Sequence, residues 1–180
     1  HALTSTICFN NVAIGTCAMN ANTQGGDNVA VGHLAGATQV AKACNNVFIG
    51  SCVGAVALCR DNTLVGAHAG IAQTTATGNV FLGACVGYGV VGGSGNVYIG
   101  DKSGLVNTSG TDNVFIGLCS GCASTASCCL IIGNGTCDII TGSFATGIVS
   151  MDCVGIGTTT PDGLLHVMSG AVAGTPTSGA

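Results

Sequence analysis

Apolar and polar positions repeat along this chain with a period near seventeen residues. Each copy begins with Asn, continues with three mostly apolar residues and ends with Gly. The copies start at Asn11, Asn28, Asn46, Asn62, Asn79, Asn96 and Asn113, at steps of 17, 18, 16, 17, 17 and 17 residues. An eighth copy, at 129–133, has Cys in place of Asn. This period is too short for a helix pair or a propeller blade, and it predicts one coil of a parallel β-solenoid.

The positions between these motifs predict the remainder of each coil. A second Gly follows the first by four residues at Gly36, Gly54, Gly70, Gly87, Gly104 and Gly121, and polar residues follow it. We therefore predict an all-β chain, a parallel β-solenoid (β-roll or β-helix) of about eight coils with a repeat of about 17 residues. The expected organisation is an N-terminal lead-in at 1–10, the solenoid at 11–137, an irregular connector at 138–168 and a flexible tail at 169–180.

Strand alternation predicts which side chains face the interior. Val47 and Ile49, with their equivalents, are alternate residues of a strand and are expected to point inward. The column between them would then point outward although it is apolar, so we expect it to be buried between chains of a homotrimer. The alternative is that a bulge inverts this assignment of inward and outward positions. The predicted oligomer interface consists of Phe48, Leu64, Phe81, Tyr98, Phe115 and Ile131.

The Asn column has two interpretations. Asn follows Asp, Asn or Gly in most copies, and such pairs suit turns that need positive φ or a local side-chain hydrogen bond. Asn amides stacked in register could instead bond to one another along a ladder. The seven residues from Asn11 to Asn113 are therefore candidates for a turn ladder, and both interpretations stay open.

Charge and hydropathy exclude several classes of function. Lys and Arg total 3 and Asp and Glu total 7, so charged residues make up 6% of the chain and the net charge is −4. So few basic residues cannot form the positively charged surface that binds nucleic acid. Gly or a polar residue interrupts every apolar run, so no membrane insertion is expected. No cofactor, metal or catalytic site is predicted, because the four His lack a carboxylate at a spacing that suggests a general base.

The twelve cysteines partly follow the repeat. Cys17, Cys52, Cys85 and Cys119 occupy one column in alternate coils, about 9.6 Å apart, which is too far for a disulfide within the column. The denser group at 119–137 has one zinc-like pair, Cys119-x-x-Cys122, but no second pair of that spacing. A local disulfide, for example between Cys122 and Cys137 on neighbouring coils, is more plausible than a zinc site. For the chain we expect a mixture of free thiols and a few disulfides.

Two segments resemble known families. The glycine-rich copies of Asn-Val-x-Ile-Gly are similar to the β-roll heads of trimeric autotransporter adhesins, although those repeats are usually shorter. The segment VGIGTTTPDGLLHV at 154–167 resembles the connector of phage and large-virus tail-fibre and spike proteins. These resemblances imply a trimeric fibre on a virion surface or in the extracellular space, with other virion or surface proteins as partners.

The sequence thus favours a structural and attachment function without enzymatic activity. We expect a trimeric fibre or spike shaft on a virus or phage particle that contacts a host receptor or glycan through variable loops such as 87–95 and 104–112. A bacterial trimeric adhesin head is the alternative. An ice- or glycan-binding solenoid is a further alternative, but ice binding would favour a flat Thr column, and Thr is scattered through the loops.

Overall fold

The chain forms two compact units, His1–Val149 and Ser150–Ala180. The computed structural model describes residues 9–38, 43–54, 60–151, 154–156 and 165–167. These residues contain strands and turns but no helix. In the second unit β11 (Val154–Ile156) and β12 (Leu165–Val167) pair in parallel. The tail at 169–180 and most of the lead-in lie outside the described residues.

The first unit is built on one ten-stranded sheet in which the strands follow one another in chain order. The first eight strands pair in parallel, each with the same motif position of the next coil, and so enclose seven turns of a solenoid. This confirms the predicted fold class and repeat. The strands are β1 (Val12–Ile14), β2 (Val29–Val31), β3 (Val47–Ile49), β4 (Thr63–Val65), β5 (Val80–Leu82), β6 (Val97–Ile99), β7 (Val114–Ile116), β8 (Cys129–Gly133), β9 (Asp138–Ser143) and β10 (Ile148–Met151).

The sheet continues beyond the solenoid, so the expectation of an irregular connector at 138–168 is wrong for its described part. A tight turn at 134–137 reverses the chain after β8, and β9 pairs with β8 in the antiparallel direction. The Asn134 side chain stabilises this turn by accepting a hydrogen bond of 2.9 Å from the Cys137 amide. β10 then adds a further strand beside β9. The last coil of the solenoid is therefore covered by antiparallel strands.

The inward and outward columns of the strands are opposite to the prediction. The middle residues Phe48, Leu64, Phe81, Tyr98 and Phe115 are fully buried within the single chain. The residues on either side of them are half-buried or exposed, and Leu82 is 47% accessible. The middle column is therefore the core of each chain, and its buried members cannot form the predicted trimer interface. Ile131, the last member, is partly buried and packs against the same core.

Glycines make room for the large rings in this interior. A Cβ at Gly87 would lie 2.3 Å from the Phe81 ring, so the ring packs flat against the glycine backbone of the same coil. The rings of neighbouring coils also stack on one another. The Phe81 and Tyr98 centroids are 4.8 Å apart with an interplanar angle of 2°, and Tyr98 and Phe115 are 4.7 Å apart at 6°. Three successive coils thus contribute one ring each to a continuous stack.

The Asn column forms a ladder inside the chain. The backbone amide of Asn96 donates to Oδ1 of Asn79 at 2.9 Å, and the Asn96 side-chain amide donates to the same oxygen at 3.2 Å. Nδ2 of Asn79 donates to the Gly93 carbonyl at 2.9 Å. The same Oδ1-to-amide bond joins every successive pair from Asn11 to Asn113. The ladder interpretation is therefore confirmed, and each Asn satisfies buried backbone groups of its neighbours.

The burial of the ring column can be tested with Phe81. Phe81→Ala should lower the free energy of unfolding by about 3–5 kcal/mol, because it removes a buried ring from the stack. Val80→Ala is the control, since Val80 is 41% accessible on the opposite side of the same strand, and it should cost less than about 1 kcal/mol. Chemical denaturation followed by circular dichroism measures both. A larger loss for Val80→Ala than for Phe81→Ala would contradict the assignment.

The ladder can be tested with Asn79. Asn79→Ala leaves the Asn96 amide and the Gly93 carbonyl without partners in a buried position, so stability should fall by at least about 2 kcal/mol. Asn45→Gly is the control, because Asn45 lies at the surface with a φ of 59° and Gly occupies the same column at Gly78 and Gly95. The control should stay within about 1 kcal/mol of the wild type. Equal losses in the two variants, measured by denaturation, would contradict the ladder.

The buried phenol of Tyr98 predicts an alkaline loss of stability. Burial raises the pKa of Tyr98 above its usual value. Above about pH 10 the unfolded chain loses this proton while the folded chain keeps it, so the free energy of unfolding falls as pH rises. Tyr98→Phe should reduce this fall, whereas Tyr88→Phe, which changes an exposed side chain, should not. Urea unfolding at a series of alkaline pH values measures how steeply the free energy of unfolding falls with pH. The same pH dependence in Tyr98→Phe and wild type would exclude the effect.

Candidate functional site

The outward columns of the eight parallel strands form one continuous surface, which we call the sheet face. Strand alternation places the first and third residue of each strand on this surface, because the middle residue is buried. The first column contains Val12, Val29, Val47, Thr63, Val80, Val97, Val114 and Leu130. The second contains Ile14, Val31, Ile49, Val65, Leu82, Ile99, Ile116 and Ile132.

The sheet face is apolar and accessible. Ile14, Ile49 and Leu82 are 59%, 41% and 47% accessible, and no residue of the two columns carries a charge. Eight strands at about 4.8 Å give a length of about 34 Å, and the two columns lie about 7 Å apart. Thr63 is the one threonine in the two columns, so the flat Thr array typical of an ice-binding surface is absent from this face.

The periodicity of the sheet face is set by the backbone. A Gly with positive φ follows each of the first seven strands, and at Gly83 (φ 143°) a Cβ would lie 2.6 Å from the Gly100 carbonyl oxygen of the next coil. Side chains are thus excluded from the edge of the face, and successive coils stack without offset. The result is a regular array of mostly aliphatic side chains with one row per coil.

A second surface, which we call the loop groove, lies beside coils 5 and 6. It has a volume of about 520 Å³ and an almost entirely apolar lining. Tyr88 and Val106 are 46% and 44% accessible there, and the Lys102 side chain lies at its edge, 4.0 Å from the Asp101 carboxylate. The lining consists of Cys85, Tyr88, Gly89, Lys102, Leu105, Val106 and Thr108. The groove coincides with the loops at 87–95 and 104–112 that we expected to make receptor contacts.

Asp and His side chains of the solenoid lie in different turns. Asp27 and Asp61 lie at exposed turn positions with φ values near 57°, and each accepts a hydrogen bond from an Asn of the preceding coil, Asn10 and Asn45 respectively. His33 is exposed, and His68 lies in the αL position of its coil. Within the described ranges no group of three or more His, Cys, Asp or Glu side chains is arranged to hold a metal ion.

The predicted disulfide between Cys122 and Cys137 is wrong. Both cysteines are free thiols. Cys137 is exposed in the turn after β8, where its backbone bonds to Asn134, whereas Cys122 lies beside Cys119 in the preceding coil. The sequence placed Cys137 on a neighbouring solenoid coil, but the chain reverses there instead. Cys17, Cys52 and Cys85 are also free and half-buried.

Sequence reasoning missed the sheet face as an outward surface and did not define the groove. One signal was present in the first coil, where Met19 stands in place of the second Gly and Ala13 in place of the ring. Met19 is fully buried, so a large residue at one position accompanies a small residue at the other. This exchange of volume is typical of residues that share one interior.

Comparison with known proteins identifies no relative. A scan against protein-family models and searches of the curated proteins and of the solved structures each found no match. The part of the chain that the structure describes also contains no helix long and apolar enough to cross a membrane.

Proposed function

We propose that this chain is a structural and attachment component, a homotrimeric fibre or spike shaft on a virus or phage particle. The observation that carries the proposal is the sheet face, an uncharged surface along the solenoid whose two columns are aliphatic except for Thr63. Contiguous exposed apolar surface can mark an interaction site on a soluble protein, and this face continues for about 34 Å. The stacked rings and the Asn ladder behind this face favour a stiff element.

A second copy of the same chain is the partner that best fits this face. The rows of the sheet face repeat once per coil, at about 4.8 Å. Another copy in parallel register has the same repeat, so its rows can interdigitate along the entire length. The face is only two side chains wide, which suits a narrow contact around a common axis, and three copies around that axis give the proposed trimer.

Attachment to a host would use the loop groove and not the sheet face. The loop groove offers an exposed aromatic side chain, Tyr88, beside the cation of Lys102 and the hydroxyl of Thr108. Aromatic rings with adjacent polar groups suit recognition of a host receptor or glycan. Because the groove is formed by loops and not by the sheet face, self-association would leave it accessible for binding.

The proposed assembly can be tested with a charge in the sheet face. Leu82→Lys should convert the trimer into monomers, because lysines from three chains would meet in an apolar contact. The fold of each chain should persist, since Leu82 is 47% accessible in the single chain. Multi-angle light scattering measures the mass, and circular dichroism checks the fold.

Val106→Lys is the matched control, because Val106 is 44% accessible but lies in the loop groove. This variant should retain the wild-type mass. A monomeric wild-type chain would refute the assembly, and dissociation by Val106→Lys but not by Leu82→Lys would move the contact to the groove. A wild-type dimer that Leu82→Lys dissociates would retain the face and refute the trimer.

A further inference from the structure

The last coil of the solenoid brings two cysteines together in one turn. The amide of Cys122 donates to the Cys119 carbonyl at 3.0 Å, which is the closing hydrogen bond of a β-turn. Such a turn holds its first and fourth Cα atoms within about 7 Å, which overlaps the separation of about 4.4–6.8 Å found in disulfides. The Cα separation in this turn is therefore compatible with a disulfide between the two residues.

This pair occurs at one coil of the repeat only. Cysteine occupies the first position of the turn at Cys17, Cys52, Cys85 and Cys119. Three residues later the first three of these coils have Asn20, Ala55 and Tyr88, and only the last has Cys122. The other three cysteines of the column share the positive φ of Cys119 and have no cysteine three residues later, so they provide a natural comparison.

The environment of the pair differs from that of the other cysteines. Cys119 and Cys122 both line a cavity of about 140 Å³, together with Ile131, Gly135 and Asp138. Hydrogen bonding to the Cys119 side chain, then burial, then the charges of Cys119 and Asp138 raise the pKa of the Cys122 thiol. The neighbouring Cys119 side chain is thus the largest cause of the raised Cys122 pKa. A neutral disulfide would avoid placing a thiolate beside the Asp138 carboxylate.

We propose that Cys119 and Cys122 form a redox-active dithiol that low-molecular-weight disulfides such as oxidised glutathione convert into an intramolecular disulfide. The Cys119 thiolate attacks one sulfur of oxidised glutathione, forms a mixed disulfide and releases one glutathione thiolate. Cys122 then loses its proton to solvent and attacks the Cys119 sulfur, which releases the second glutathione. The protein loses two electrons and two protons, and oxidised glutathione is reduced to two molecules of glutathione.

The position of the pair determines what oxidation changes. A Cβ at Gly135 would lie 2.7 Å from the Cys119 Cβ, so the turn between β8 and β9 packs directly on this cysteine. The disulfide would close the last turn of the solenoid beneath the antiparallel strands that cover it. Oxidation would therefore restrict local unfolding of the last solenoid turn. Reduction of the disulfide would allow this local unfolding again.

The test uses the wild-type chain in glutathione buffers that range from fully reduced to fully oxidised. Free thiols are alkylated under acidic quench, and peptides from a pepsin digest are mapped by mass spectrometry. The expected result is a Cys119–Cys122 linkage that forms at lower oxidised-to-reduced glutathione ratios than any other disulfide. Cys85, the comparison cysteine with Tyr88 three residues later, should be free or carry glutathione at every ratio.

The variant Cys122→Ala separates the two steps. Without the second thiol the reaction should stop at a glutathione adduct on Cys119. The control is Cys137→Ala, which removes an exposed cysteine outside the pair and should still form the Cys119–Cys122 disulfide. Full alkylation of both cysteines in oxidised buffer would overturn the proposal. So would a first-formed linkage between Cys122 and Cys137, or a Cys122→Ala variant without the adduct on Cys119. None of these results depends on the oligomeric state.

Discussion

Each coil of this solenoid is held to the next by an asparagine whose side-chain oxygen accepts the backbone amide of its successor. Oδ1 of Asn62 receives the Asn79 amide at 2.9 Å, and Asn79 repeats the contact with Asn96. These Asn side chains are fully buried, so their bonds form away from competing water. The contact requires the same residue at the same height in neighbouring coils, and it therefore fixes the register of the strands.

The sidedness of the strand follows from that ladder. Asn79 and Phe81 are two residues apart and lie on the same side of an extended strand. Once Asn79 is buried, Phe81 must be buried and Val80 and Leu82 must face outward. The stacked rings, the glycines beneath them and the aliphatic sheet face are consequences of one buried asparagine per coil. The apolar residues on both sides of the strand are then explained, since one side forms the core and the other remains available for association.

The repeat, the parallel strands and the coil length could be predicted from the sequence because they depend on spacing alone. Hydrophobicity could not predict which columns of side chains face the interior, because Val80, Phe81 and Leu82 are all apolar. Had the Asn column been identified as a buried ladder, alternation would have given the correct side. The antiparallel strand β9 was missed because it follows a local turn at 134–137 with no counterpart in the repeat. The proximity of Cys122 to Cys119 was missed for the same reason. Cys137, which was predicted as the partner of Cys122, lies beyond that reversal of the chain.

The central claim is that the rings lie within each chain and that the sheet face carries contacts between chains. An isotope-filtered nuclear Overhauser experiment on a mixture of labelled and unlabelled chains tests this most directly, because it detects only contacts between different chains. The account predicts intermolecular signals among the methyl groups of the sheet face, such as Leu82 and Ile99, and none from the rings of Phe81, Tyr98 and Phe115. Ring-to-ring signals between chains, with silent sheet-face methyl groups, would contradict it.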